Sequence, residues 1–139
     1  MEWLNKINDA IDYIEDNKTE GVENRETAEY RLPLFLSYPI KYKKIVCMPL
    51  IGEADLSPWL HSVQGVSAGG EWGKEARELD YDWVLKIREQ CINAGVSFNF
   101  WRTGQRFRKD GVLHVGCWEI RNSLSIRKRV SLRLRPSNG

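Results

Sequence analysis

The sequence predicts an α/β fold with a mainly parallel sheet, and three observations carry that expectation. Residues 66–101 read as one βαβ unit: Val66-Ser67-Ala68 runs into Gly69-Gly70-Glu71-Trp72-Gly73, a helical stretch follows, and Val96-Ser97-Phe98-Asn99-Phe100-Trp101 closes the unit as a second strand. Upstream, the β-rich run Lys44-Ile45-Val46-Cys47-Met48-Pro49-Leu50 adds another buried strand, so strands alternate with helical segments. The chain has 139 residues, 42% of them hydrophobic and 29% charged, which suits one domain with a real core.

Each element has a local reason. Residues 3–16 place Trp3, Leu4, Ile7, Ala10, Ile11 and Ile14 at helical spacing, with Asn5, Lys6, Asp9, Asp12, Glu15 and Asp16 opposite, so an amphipathic helix is expected to cover exposed core. Residues 16–21 form a polar break that ends in Gly21 and marks a junction. A short helix over residues 23–30 precedes a further turn at 32–36, where Pro33 suits a first helical position. Asp55 can cap a turn through Ser57-Pro58-Trp59-Leu60 before the strand at 64–68. The crossover helix has Asp80 or Asp82 as its cap, an apolar stripe of Trp83, Val84, Ile87, Cys91 and Ile92, and Gly95 as its stop. Asp110-Gly111, between two β-prone runs, is a hairpin signal. Beyond it, Val130, Leu132 and Leu134 alternate with Arg129, Ser131, Arg133 and Arg135, which fits either a cationic edge strand or a frayed tail.

Several function classes lack support. No apolar run approaches the length of a membrane span, and the start Met1-Glu2-Trp3 is not a signal peptide, so a cytoplasmic protein without a membrane partner is expected. Cys47, Cys91 and Cys117 are odd in number and widely spaced, which implies structural thiols rather than a disulfide framework or a metal clip. His61 and His114 have no neighbours at ligand spacing, and Ser67 lacks a nucleophile elbow. No metal and no cofactor are expected. Net charge is only +2, yet residues 1–30 carry nine acids against three bases, whereas residues 101–139 carry ten bases against Asp110 and Glu119. A polyanion or an acidic protein surface is the partner to test.

Two resemblances add to this reading. The first 17 or so residues, with their tryptophan, paired isoleucines and Asp12-Tyr13-Ile14-Glu15, resemble the opening helix of the helix-turn-helix domain in AraC-type transcription activators, but no recognition helix follows. From Gly21 to Val115 the motifs Val22-Glu23-Asn24, Tyr30-Arg31-Leu32-Pro33, Cys47 with Pro49-Leu50, Asp55-Leu56-Ser57, Gly69-Gly70-Glu71, Asp82-Trp83-Val84, Ile87-Arg88, Gln90-Cys91 and Gly104 are similar to the C-terminal half of an uncharacterised phage and prophage family of radical-SAM-like barrels. The resemblance implies a partial, half β/α barrel over residues 21–116. Residues 1–20 would be an added N-terminal helix, and residues 117–139 a basic extension after the hairpin. It also implies that the half carrying the iron–sulfur ligands is missing. Met48, Trp72 and Trp101 stand where the family has a glutamate, a serine and a lysine, so inherited catalysis is not expected.

Two sets of site candidates follow. The strand-end set is Gly69, Gly70, Glu71, Trp72 and Lys74 with Trp101 and Arg102; the glycines fit either an anion cradle or a structural turn. The basic set is Arg106, Phe107, Arg108 and Lys109 on the hairpin with Arg127, Lys128, Arg129, Arg133 and Arg135, where cations can track phosphates and Phe107 or Trp101 can stack on a base; a solvated basic tail is the other reading. The expected function is a non-enzymatic binding protein of a phage or mobile element. It would act on nucleic acid or on a host protein that handles nucleic acid, including as an anti-defence inhibitor of the anti-CRISPR kind. The alternative is a residual radical-SAM-like enzyme fragment or nucleotide-binding domain. A homodimer through open sheet edges is compatible with both.

Overall fold

Backbone pairing, more than apolar patterning, builds the first part of the sheet. In a computed structural model that describes residues 2–6 and 17–116, the polar segment Asn17–Gly21 is strand β1, paired in parallel with β2, Tyr42–Cys47. Residues 17–21 of the expected junction are therefore a strand, and a boundary at residue 20 would fall inside it. Val22, fully buried directly after β1, anchors its end in the core.

The main sheet continues with β3, Gly65–Gly69, and, after β4, Leu79–Asp80, of a second sheet, with β5, Ser97–Arg102. Its order is β1-β2-β3-β5, all neighbours parallel, so the strands lie side by side in chain order. The βαβ unit expected over residues 66–101 is present as β3, helix α2 (Tyr81–Ala94) and β5, with α1 being the earlier helix Arg25–Ser37. Asp80, not Asp82, caps α2: its carboxylate accepts the amide of Asp82 at 2.9 Å. Gly95 ends the helix in the left-handed region at φ 69°, which a Cβ would disfavour.

Helix α1 starts later and runs further than the sequence suggests. Asn24 and Thr27 form a reciprocal cap, each side chain accepting the other's backbone N–H at 3.0 Å, so the helix begins at Arg25. Pro33 lies inside it rather than at a start. Ala28, Leu32 and Phe35 are buried on one stripe of α1, and that packing holds the helix together across the missing N–H donor. Its carboxyl end lacks a basic residue of its own; buried Lys43 of β2 supplies the cation, donating from Nζ to the Leu36 carbonyl at 3.2 Å.

Register divides the sheet into two faces. Ile45, Cys47, Val66, Ala68, Phe98 and Phe100 share the buried face, packed against Leu32, Phe35, Val84, Ile87 and Cys91 in the core. Thr19, Lys44, Val46, Ser67, Ser97, Asn99 and Trp101 alternate onto the other face. Leu60, in the 3-10 turn Ser57–Ser62, is buried as well; the N-cap of that turn is Leu56 rather than the expected Asp55, which precedes it and accepts the Ser57 amide at 3.0 Å.

The second sheet joins β4 in parallel to β6, Arg106–Lys109, and β6 in antiparallel to β7, Val112–Val115. Asp110 and Gly111 turn the predicted hairpin with φ of 54° and 79°, the two positive values that a tight two-residue turn requires. Of the expected front helix, residues 2–6 are helical, and Trp3 and Leu4 are exposed at 63% and 40%, so this part covers no core. Residues 7–16, Cys117 and the alternating run around Leu132 lie outside the described residues. Among the described residues no helix is long and apolar enough to cross a membrane.

Candidate functional site

The carboxyl ends of the four parallel strands converge on one rim, the place where open α/β sheets present ligands. Here the loops of that rim are joined to one another through their backbones. Ile51 N donates to Glu23 O at 2.9 Å, Leu50 N to Gly69 O at 2.9 Å, Gly70 N to Arg102 O at 3.0 Å and Gln105 N to Glu71 O at 2.8 Å. The glycines permit this approach. A Cβ on Gly69 would lie 2.7 Å from Met48 Sδ, and one on Gly104 would lie 2.7 Å from Gly70 Cα. Both Gly69 and Gly70 are buried, and the Gly70 amide is already bonded. Of the two readings of Gly69-Gly70, the geometry matches the structural turn.

Glu71 is also engaged. Its carboxylate takes a forked pair from Arg77, Nε to Oε1 at 3.0 Å and Nη2 to Oε2 at 2.7 Å, and accepts the Arg77 amide at 2.7 Å. The Arg77 side-chain bonds first, then its backbone bond, lower the Glu71 pKa to about 2. A carboxyl whose pKa falls on folding stabilises the fold above its unfolded pKa and loses that contribution as pH drops through the folded value. The melting-temperature gap between the native chain and Glu71→Gln should therefore be widest above about pH 5 and close toward pH 2. A gap constant across that range would show that the pair does not form.

Beyond β3 and β5 the rim presents two aromatics and two cations, with the exposed acid Glu75 next to Lys74. Trp72 is 57% and Trp101 55% exposed, and Lys74 and Arg102 are exposed beside them in sequence. A register shift at Ala68/Gly69 sets Arg102 opposite Gly69 and leaves Trp101 as the extra residue of β5, a bulge that re-aims side chains at a strand end. Glu71, Trp72, Gly73, Lys74, Glu75 and Arg77 line an open depression of about 580 Å³.

The hairpin residues are placed differently from their expected role. Phe107 is 1% exposed, edge-on to Tyr81 at 5.7 Å between ring centroids and 6.5 Å from Phe100, so its ring belongs to the core and cannot stack on a base. Arg108 is paired with Glu78, Nη2 to Oε1 at 3.1 Å, and also donates to Gly111 O. Lys109 Nζ lies 5.1 Å over the Tyr81 ring, and Arg106 is half-buried. Arg108 and Lys109 thus make contacts within the fold, and of the described hairpin cations Arg106 is left for a phosphate track. Arg127, Lys128, Arg129, Arg133 and Arg135 lie outside the described residues.

The two described thiols are inert at neutral pH. Burial, with Cys91 nearby, pushes Cys47 far above the ordinary thiol range, and burial pushes Cys91 up to about 12. Among the described residues no group of three or more His, Cys, Asp and Glu is placed to hold a metal ion.

Residues 16–131 match the model of a family described as a protein of unknown function, DUF5131. The chain belongs to the DUF5131 family. The match takes in every strand of both sheets and the whole strand-end rim. No curated protein and no solved structure matches the chain. What sequence reasoning missed in this DUF5131 rim is its internal wiring: the Glu71–Arg77 pair and the contact between Gly70 and Gly104. Gly104 just past the end of β5 was the one available signal.

Proposed function

We propose that this DUF5131 protein is a non-enzymatic binding protein of a phage or mobile element that acts on nucleic acid through the rim formed by Trp72, Lys74, Trp101 and Arg102. One observation carries the reading: two half-exposed tryptophans, each with a cation close in sequence, stand at the carboxyl ends of the neighbouring parallel strands β3 and β5. Indole faces stack on bases and the cations meet phosphates. We read the chain-ordered parallel sheet as half of a β/α barrel, related to the radical-SAM-like barrels, in which this rim replaces a catalytic one. A nucleotide site at the glycine turn is less well supported, because the Gly70 amide is bonded to Arg102.

Fluorescence anisotropy with labelled oligonucleotides at low and moderate salt tests the proposal. Trp72→Ala and Trp101→Ala should each weaken binding by roughly ten-fold, and affinity should fall steeply with salt. Absence of binding at low salt would remove the nucleic-acid reading. Capture of a nuclease-resistant host protein by the same tryptophans would replace it with docking on a nucleic-acid-handling protein, the anti-defence version, since exposed Trp and Arg also anchor protein interfaces.

A further inference from the structure

Parallel sheets in α/β proteins are ordinarily covered on both faces. Here the face opposite the core exposes Thr19, Tyr42, Lys44, Asn99 and Trp101. Its composition is unusual in three respects. Among its described side chains (positions 19, 42, 44, 46, 67, 97, 99 and 101, with glycines at 21, 65 and 69) there is no Asp or Glu, although the chain carries 19 acids against 21 bases. Two large aromatics mark its ends. Tyr42, 47% exposed, is at the amino end of β2, and Trp101 is at the carboxyl end of β5. Between them the floor is low: Lys44 is level with Gly65 and Ser97, and Val46 with Ser67.

We infer that this face is a track for a single strand of nucleic acid, continuing from the rim across the sheet to Tyr42. The inference rests on the nucleic-acid reading of the rim and adds the path and the strandedness of the ligand. Lys44 is level with Ser97 and Cys47 with Phe100, and Trp101 is the bulged residue just beyond, so Tyr42 and Trp101 are separated by between five and six residues of rise, roughly 17–20 Å along the strands at about 3.3 Å per residue. Small or polar side chains and Val46 between two aromatic posts let a chain of bases lie flat, with Lys44, nearer Tyr42 than Trp101, for the backbone phosphates. Lys41 Nζ lies over the Tyr42 ring, 5.5 Å from its centroid, a contact of the same kind as that of Lys109 with Tyr81. Stacking on these rings needs bases that are not held in a duplex, which selects a single strand. The same polarity disfavours closing two copies into one barrel, because a barrel interior is filled by bulky branched apolar side chains.

The test uses the full chain with labelled oligonucleotides of about 10 nucleotides, as oligo-dT, oligo-rU and a duplex of the same length. Single strands should bind about ten-fold tighter than the duplex, and Tyr42→Ala and Lys44→Glu should each weaken them about ten-fold. Both positions are exposed, so the variants should melt with the native chain. A preference between oligo-rU and oligo-dT assigns RNA or DNA by the 2′-hydroxyl; equal affinity assigns a track that reads only bases and phosphates. Native affinity in both variants overturns the track; if Trp72→Ala still weakens binding, the rim reading survives alone. Equal affinity for duplex overturns the track too, as does sedimentation as a dimer in which Trp101 is shielded from a fluorescence quencher.

Discussion

Phe107→Ala is expected to lower the unfolding free energy by about 3–5 kcal/mol, the usual cost of emptying a buried phenylalanine site. The ring is the point at which the second sheet enters the main core: β6 carries it between Tyr81 of α2 and Phe100 of β5. Removing it leaves a cavity at the junction of three elements, so little collapse can refill the space. Domains of this size have about 5–15 kcal/mol of stability, so a large part of the population should unfold on modest warming. Urea denaturation of the two chains measures the effect as a shift in midpoint at unchanged slope. The charges around the hairpin belong to the same design, since Arg108 is held by Glu78 and Lys109 lies over Tyr81. A variant that kept its midpoint and lost oligonucleotide affinity would return Phe107 to the base-stacking role its sequence context suggests.

That mistaken role shows what patterning can and cannot convey. Arg-Phe-Arg-Lys alternates correctly for a strand, and both the hairpin and its turn were legible from Asp110-Gly111. Which side of the strand faces the core depends on β4, a two-residue strand with no periodicity to read. The βαβ unit was legible for the opposite reason: Val84, Ile87 and Cys91 repeat at helical spacing between a capping aspartate and a stopping glycine. Strand β1 was hidden because Lys18, Thr19 and Glu20 carry no apolar signal; an edge strand can be specified by its partner's backbone and by one anchor, here Val22. In the rim, Trp72 and Trp101 were legible as strand-end residues. The Glu71–Arg77 pair was not, because a separation of six residues in a loop matches neither helical nor strand spacing.

Gly104→Ala should be a damaging small substitution at the rim, and Gly111→Ala is its internal control. The two glycines have nearly the same backbone, φ 78° and 79°, so the left-handed conformation penalises alanine at both by about 1–2 kcal/mol. Their surroundings differ. A Cβ at Gly111 meets nothing within 4 Å, whereas one at Gly104 lies 2.7 Å from Gly70 C and Cα and 2.8 Å from Glu71 N, all rigid backbone. Overpacking of that kind adds about 1–3 kcal/mol, which makes a total of roughly 2–5 kcal/mol for Gly104→Ala. The difference between the two variants in urea midpoint therefore isolates the contact between the loops after β3 and β5. It also reports on function, because the bond from Gly70 N to Arg102 O holds the chain segments that carry Trp72 and Trp101 together. Loosening it should lower oligonucleotide affinity even in the fraction of Gly104→Ala that stays folded, while Gly111→Ala binds as the native chain does. Equal midpoints for the two variants would mean that the loops touch without contributing stability, and the rim would then have no rigid support for its two tryptophans.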